Sequence, residues 1–382
     1  MDLTPEQPFV PDTQNPAQQP MEPVAATLTD AEVEPPALPP SLAQRIFFGT
    51  FGLRAGWSLL IYFSIFAAIG GGLYLAQHRP GARQHDAAKT GQSAAGQSKD
   101  AKPDSSKEMT VKSAAVGEGI LFVVLVLVSW LMAAIEGRSL WVFGLGGAHS
   151  VGRFLVGAVW GLAAMSLLIG TLCSMHLLVF DGELDHGLAI LGWGGAQLFG
   201  FLCVGLVEEY LFRGYLQFTL TRGLVCVGNL ISRRHGRTIA FWIAAVITSI
   251  LFFLAHTGNS GETPVGLLLV FVAGVAFLVA LWRTGSLWWA IGFHMAWDWA
   301  QSFLYGVPDS GGLVQGRLFA THALGNPFLS GGTDGPEGSV LCIPVLVLMI
   351  LVLVFLTRSS PQPPLETKER LLELKAEDSV AA

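Results

Sequence analysis

The sequence predicts an all-α fold: a polytopic integral membrane bundle of about eight transmembrane helices behind a disordered N-terminal tail. Three observations predict it. Of 382 residues, 52% are hydrophobic and 13% charged, against roughly 25% charged in a soluble domain. The apolar residues stand in long unbroken runs, close to the ~20 residues that a ~30 Å hydrocarbon core requires. The 45 glycines suit membrane helices, where small residues let backbones approach. A mean hydropathy of +0.53 and a net charge of -6 argue against a nucleic-acid partner and an ordinary soluble enzyme.

Residues 1–44 are rich in Pro, Gln, Ala and Glu, too poor in apolar surface to offset their ordering entropy, so they read as a disordered tail. No basic n-region leads into an apolar run there, so no signal peptide is expected. A first segment, 45–76, holds a span from about Trp57 to Ala76. Residues 77–115, rich in Lys, Ser, Gln and Ala, form a low-complexity loop. The transmembrane core, 116–358, carries spans at about 119–135, 151–173, 188–221, 239–256, 264–282, 286–305 and 339–357. The stretch 188–221 is too long for one straight crossing, so it tilts or divides. Residues 359–382, with Pro361, Pro363 and Pro364, form a cytoplasmic tail ending in a short helix near Leu371.

Lys and Arg in short loops set the orientation. Arg222, Arg233, Arg234 and Arg237 mark one inner loop, Arg138 and Arg153 another, Arg283 a third, and Arg358 with Lys368 places the C-terminus inside. Asp181, Glu183, Asp185, Glu262, Asp309, Asp334 and Glu337 fall outside, with a lone Arg317. An even number of spans puts the N-terminus inside too. The loop 77–115 then lies outside against the rule, with Arg79 and Arg83 near the membrane. Cys173, Cys203, Cys226 and Cys342 show no CxxC spacing, which argues against a disulfide framework or a Cys-ligated zinc site.

Charges inside the apolar runs carry the chemistry, because each costs roughly 2.5–3.5 kcal/mol on insertion scales. Glu208, Glu209 and Arg213 fall within six residues. Glu209 and Arg213, at i,i+4, can pair; Glu208 is turned about 100° away with no local cation, the setting of a general acid or base. The plain alternative is an ion-paired helix end with Arg213 snorkelling outward. Phe252 and His256 close one span, and His294 with Asp298 at i,i+4 sits within another. A lone His at a span end is often merely interfacial; a mid-span His one turn from a carboxylate is seldom so. His78, His85, His149, His176, His186, His235 and His322 lie in loops or near span ends.

Gathered in one wet cavity, these groups suit amide hydrolysis by activated water, and Glu208, His256 and His294 could equally ligate a divalent metal such as zinc. There is no HExxH. Linear counting places His256 near the outer end of its span, Glu208 in the inner half and His294 near the middle. Convergence therefore requires tilted helices or a 256–264 segment that dips into the bundle.

The order Glu-Glu-x-x-x-Arg, Phe-x-x-x-His, His-x-x-x-Asn/Asp, found here as Glu208-Glu209 with Arg213, Phe252 with His256, and His294 with Asp298, resembles the CPBP family over 188–302. That family comprises type II CAAX prenyl endopeptidases and bacteriocin-processing or abortive-infection membrane proteins. The Gly331–Gly338 stretch also resembles a segment before the last span of bacterial members. The resemblance implies an intramembrane endopeptidase in which Glu208 activates water, His256 assists, and His294 with residue 298 stabilises the oxyanion. Arg213 would hold Glu209. Prenyl endopeptidases carry Asn where this chain has Asp298, so Asp298 is either protonated or orients His294.

The implied partners are a peptide or membrane-protein substrate and the lipid bilayer, with no nucleic acid; the implied location is a bacterial cytoplasmic membrane. Two other readings stay open. A non-catalytic scaffold, transport or immunity protein of the same fold would keep these residues for packing or proton relay. A rhomboid-like serine protease would use Ser260 of Gly258-Asn259-Ser260-Gly261, with His294 as base.

Overall fold

The computed structural model describes residues 41–77, 111–147, 149–184, 187–259, 261–357 and 359–381. Met1–Leu42 and Ala43–Ala382 separate as two units, and of the first only residues 41–42 are described. Most of the expected tail and of the 77–115 loop therefore lies outside the described residues, as do His78, Arg79, Arg83, His85, Asp185, His186, Ser260 and Arg358.

The helices follow the apolar runs: α1 Ala55–Gln77, α2 Val111–Ile135, α3 Ser150–Ser174, α4 Leu188–Ile231, α5 Gly236–His256 and α6 Pro264–Thr284. Among the described residues these six are long and apolar enough to cross a membrane. The other two expected spans are shorter. One is α7, Trp288–Trp299 continued by a π-helical Ala300–Leu304; the other is α8, Cys342–Leu356. At 1.5 Å per residue the 15 residues of α8 reach about 22 Å, short of a ~30 Å core. The helix expected near Leu371 is α9, Lys368–Ala381.

The overlong stretch after Leu188 is one helix that runs on to Ile231. It does not divide; it changes gauge. Glu209–Leu216 is π-helical, between α-helical Leu188–Glu208 and Gln217–Ile231. Widening the hydrogen-bond ring to i→i+5 shifts the face that downstream residues present, and such insertions concentrate at functional sites.

Two small antiparallel ribbons, unforeseen in the sequence, join the helices: β1 Phe48–Gly49 with β2 Gly52–Leu53, and β3 Leu178–Glu183 with β4 Phe319–Ala323. The second brings the segment after α3 against the one after α7, with a register shift between Phe180 and Gly182.

Two apolar clusters hold the bundle. One joins α3, α6, α7 and α8 through Leu168, Phe277, Phe293 and Met349; the other joins α1, α2, α4 and α5 through Tyr62, Met132, Tyr215 and Phe241. Helices α3 and α7 touch backbone to backbone. A Cβ on Gly157 would lie 2.1 Å from the Trp289 carbonyl oxygen, one on Gly161 2.3 Å from that of Phe293, and one on Gly292 2.1 Å from that of Phe154. Gly157-Ala158-Val159-Trp160-Gly161 is thus a small-xxx-small packing face, and it fixes the helix that carries His294.

One expectation is corrected here. Arg138 and Arg222, read as loop charges, are buried, and Arg222 lies within α4. Both pair with Glu136, at 2.9 and 3.1 Å. Arg138 also donates to the carbonyls of Phe51, Leu365 and Glu366, and Arg222 to those of Phe51 and Leu53 and to Ser58 Oγ. Burial with a carboxylate and carbonyl partners costs less than burial alone, which is how the bundle tolerates both guanidinium groups.

Candidate active site

The π-helical turn of α4 begins at Glu209, so the motif straddles the change of gauge: Glu208 ends the α-helical part and Glu209 opens the wider one. Glu209 is fully buried and Glu208 partly open, its side chain 24% exposed. Arg213 Nη1 donates to Glu209 Oε1 at 3.0 Å, as the i,i+4 spacing suggested. The guanidinium lies 3.9 Å from the centre of the Phe252 ring and 5.3 Å from that of Phe277. Phe252 thus covers the face of Arg213, a cation–π contact out of water.

His294 reaches this pair from α7. Its Nδ1 lies 3.1 Å from Glu209 Oε1, while Nε2 lies 3.6 Å from Glu208 Oε2 and 3.4 Å from Asp298 Oδ2. The ring stacks on Phe277 at 5.5 Å between centroids. An unbroken chain runs from Arg213 through Glu209 to His294, with Glu208 and Asp298 flanking its far nitrogen. The His294–Glu209 contact was absent from the sequence reading, which cannot see across 85 residues.

His256 ends α5, half-buried, its Nδ1 2.9 Å from the Phe252 carbonyl oxygen. A carbonyl only accepts, so Nδ1 carries a proton and donates it, which turns Nε2 to the other side of the ring. The Phe252 ring packs edge-on against the imidazole at 4.5 Å. Among the described residues His256 forms no ion pair with Glu208.

It shares a cavity with Glu208 and His294 nonetheless. A space of about 440 Å³ is lined by Glu208, His256, His294 and Asp298, so the convergence that linear counting put in question is present. The turn after α5 contributes Asn259 and Glu262 to the same wall, as a dipping 256–264 segment would. The expected metal set does not assemble. Among the described residues no group of three or more His, Cys, Asp and Glu is placed to hold a metal ion. Glu208, His256 and His294 share a cavity without forming a metal cradle.

The cavity also holds residues that sequence reasoning left aside. Glu118 of α2 lines it, as do Glu262, Asp309, Asp334 and Glu337, four residues read only as outer-loop charges. The last two come from Gly331–Gly338, the stretch that resembled a family segment, so a signal was present. Burial and the charges of Asp334 and Glu337 push the Glu262 carboxyl up to about 7. Burial lifts Glu337 to about 7 as well, against hydrogen bonds from the Ser310 backbone and hydroxyl. Burial also raises Asp334 and Asp309, the latter strongly.

No match to the chain is found among curated proteins or solved structures. Residues 192–300 match the family model described as type II CAAX prenyl endopeptidase Rce1-like, an interval that contains Glu208, Glu209, Arg213, Phe252, His256, His294 and Asp298 and not the Gly331–Gly338 stretch. The chain is an integral membrane protein whose residues 192–300 are similar to the Rce1-like family model, a match consistent with the CPBP family.

Proposed function

We propose that this protein is an intramembrane endopeptidase of the CAAX prenyl protease type, hydrolysing a peptide bond with water activated by Glu208. The observation that carries the reading is the pairing of Glu208 with His294 across two helices. Glu208, its side chain 24% exposed on the cavity wall, holds Oε2 3.6 Å from His294 Nε2, while His294 is anchored at its other nitrogen by the buried Arg213–Glu209 pair. A general base needs an available carboxylate oxygen beside the water, and a donor to the oxyanion needs a fixed orientation.

Glu208 takes a proton as the water oxygen adds to the scissile carbonyl. His294, with Nδ1–H held by Glu209, donates Nε2–H to the oxyanion as an imidazolium, and the Asp298 carboxyl 3.4 Å from that nitrogen balances its charge. The C–N bond breaks as Glu208 returns its proton to the departing amine. His256 assists in placing the water through Nε2. Arg213 and Phe252 act through Glu209 and are positioning residues. The substrate is a peptide or membrane-protein segment reached from the bilayer. The membrane is that of a bacterial cell, and both termini face its cytoplasm, the side that the loop of Arg233 and Arg234 marks.

Purified protein in proteoliposomes, incubated with a diverse peptide library and read by mass spectrometry, tests this. Wild type is expected to generate products that Glu208→Gln forms at least about 10²-fold more slowly, the lower range for a lost general base. Equal product formation by both proteins would overturn the proposal.

A further inference from the structure

We infer that the acidic end of the cavity is a subsite for a cationic side chain of the peptide substrate, an arginine or lysine next to the bond that is cut. The inference rests on the hydrolase reading and adds a substrate class to it. Beyond Glu208 and Asp298, five carboxylates line the same space: Glu118 from α2, Glu262 from the turn before α6, and Asp309, Asp334 and Glu337 from the segment between α7 and α8. Among the described residues no Lys or Arg lines it, and its two histidines are His256 and His294.

Independent of this charge, two carboxylates have an oxygen without a partner. Asp334 is fully buried; its Oδ2 accepts from the Thr263 backbone at 3.1 Å and the Thr263 hydroxyl at 2.8 Å, while Oδ1 has no partner among the described residues. Glu262 Oε2 is likewise unpartnered. An unsatisfied buried carboxylate oxygen is costly, and a basic group entering the cavity supplies the missing donor.

The cluster is also built rather than accidental. Thr263, which holds Asp334, is the N-cap of α6 and accepts from Gly266 N at 3.0 Å, so the helix start and the carboxylate share one residue. Ser310 donates to Glu337 from backbone and hydroxyl, and Ser302 reaches Asp309 at 3.3 Å. Burial raises these carboxyls, joined at Glu262, Asp309 and Glu337 by neighbouring carboxylate charge, and a bound cation offsets that penalty. Leu269, Val270 and Leu346 give the cavity an apolar wall suited to the methylene stem of such a side chain.

The test uses a peptide library in which every arginine member has a citrulline twin of the same shape and no charge. Wild type is expected to prefer the arginine twin by at least about tenfold in kcat/KM, mostly through KM, the scale of one charge-assisted contact. Glu262→Gln, half-buried and the mildest change, and Asp334→Asn each shrink that ratio to a few-fold. Binding of fluorescent twins to Glu208→Gln protein reads the subsite without turnover. If no peptide is cut, the hydrolase reading fails while a binding preference for arginine still supports the subsite. Equal treatment of the twins in cleavage and in binding overturns it.

Discussion

Among the described residues two buried Glu–Arg clusters lie in this bundle, and they are partnered in opposite ways. Around Glu136, Arg138 and Arg222, every side-chain nitrogen and oxygen but Arg222 Nε has a partner, and the partners tie α2 and α4 to the chain on either side of the bundle. Around Glu209 and Arg213, Glu208 Oε2, Glu209 Oε2 and Arg213 Nη2 all lack one. Both clusters carry the cost of burying charge. The first cancels it with backbone carbonyls and so serves as a clamp; the second leaves capacity open beside a cavity and so suits chemistry.

The contrast can be broken by mutation. The largest stability effect is expected at the clamp: Glu136→Gln strands two buried guanidinium groups and should cost about 3–5 kcal/mol, seen as a lower melting temperature in detergent. An undiminished melting temperature would show that carbonyls alone suffice. A smaller effect is expected from Phe252→Leu, which uncovers Arg213. Loss of the cation–π contact, about 0.5–2 kcal/mol, should slow cleavage several-fold with little change in KM. A change confined to KM would place Phe252 against substrate instead.

The smallest effect sharpens the picture of the cavity. Glu262, faced by Asp334 and Glu337 and hydrogen-bonded by Asn259, titrates near 7, as does Glu337, faced by Asp334 and bonded by Ser310 and Gln301. Ionised carboxylates hold a cation and protonated ones do not, so binding releases protons in this range. Affinity of Glu208→Gln protein for an arginine peptide should therefore rise a few-fold from about pH 6 to about pH 8, while the citrulline twin stays flat. A flat profile for both twins would remove these two groups from the subsite.

What could be read from the sequence follows a physical divide. The spans and Glu208, Glu209, His256, His294 and Asp298 stood out because apolar runs and the charges that violate them are local properties. The two π-helical segments, Glu209–Leu216 and Ala300–Leu304, left no trace, since one extra residue per turn changes hydrogen-bond register and not composition. Arg138 and Arg222 misled because positive charge near a span end ordinarily marks a loop, and their carbonyl partners are as distant as Leu365. Asp334 and Glu337 read as outer charges because only the fold turns their segment toward α6. Gly157 and Gly161 were legible as a packing face and were passed over.

The division between clamp and chemistry is tested most directly by measuring turnover per folded molecule for Glu208→Gln and Glu136→Gln side by side. Glu208→Gln is expected to melt like wild type and lose cleavage by about 10²-fold or more, while Glu136→Gln melts earlier yet cleaves normally wherever it remains folded. Normal cleavage by folded Glu208→Gln, or its loss in folded Glu136→Gln, would contradict the assignment.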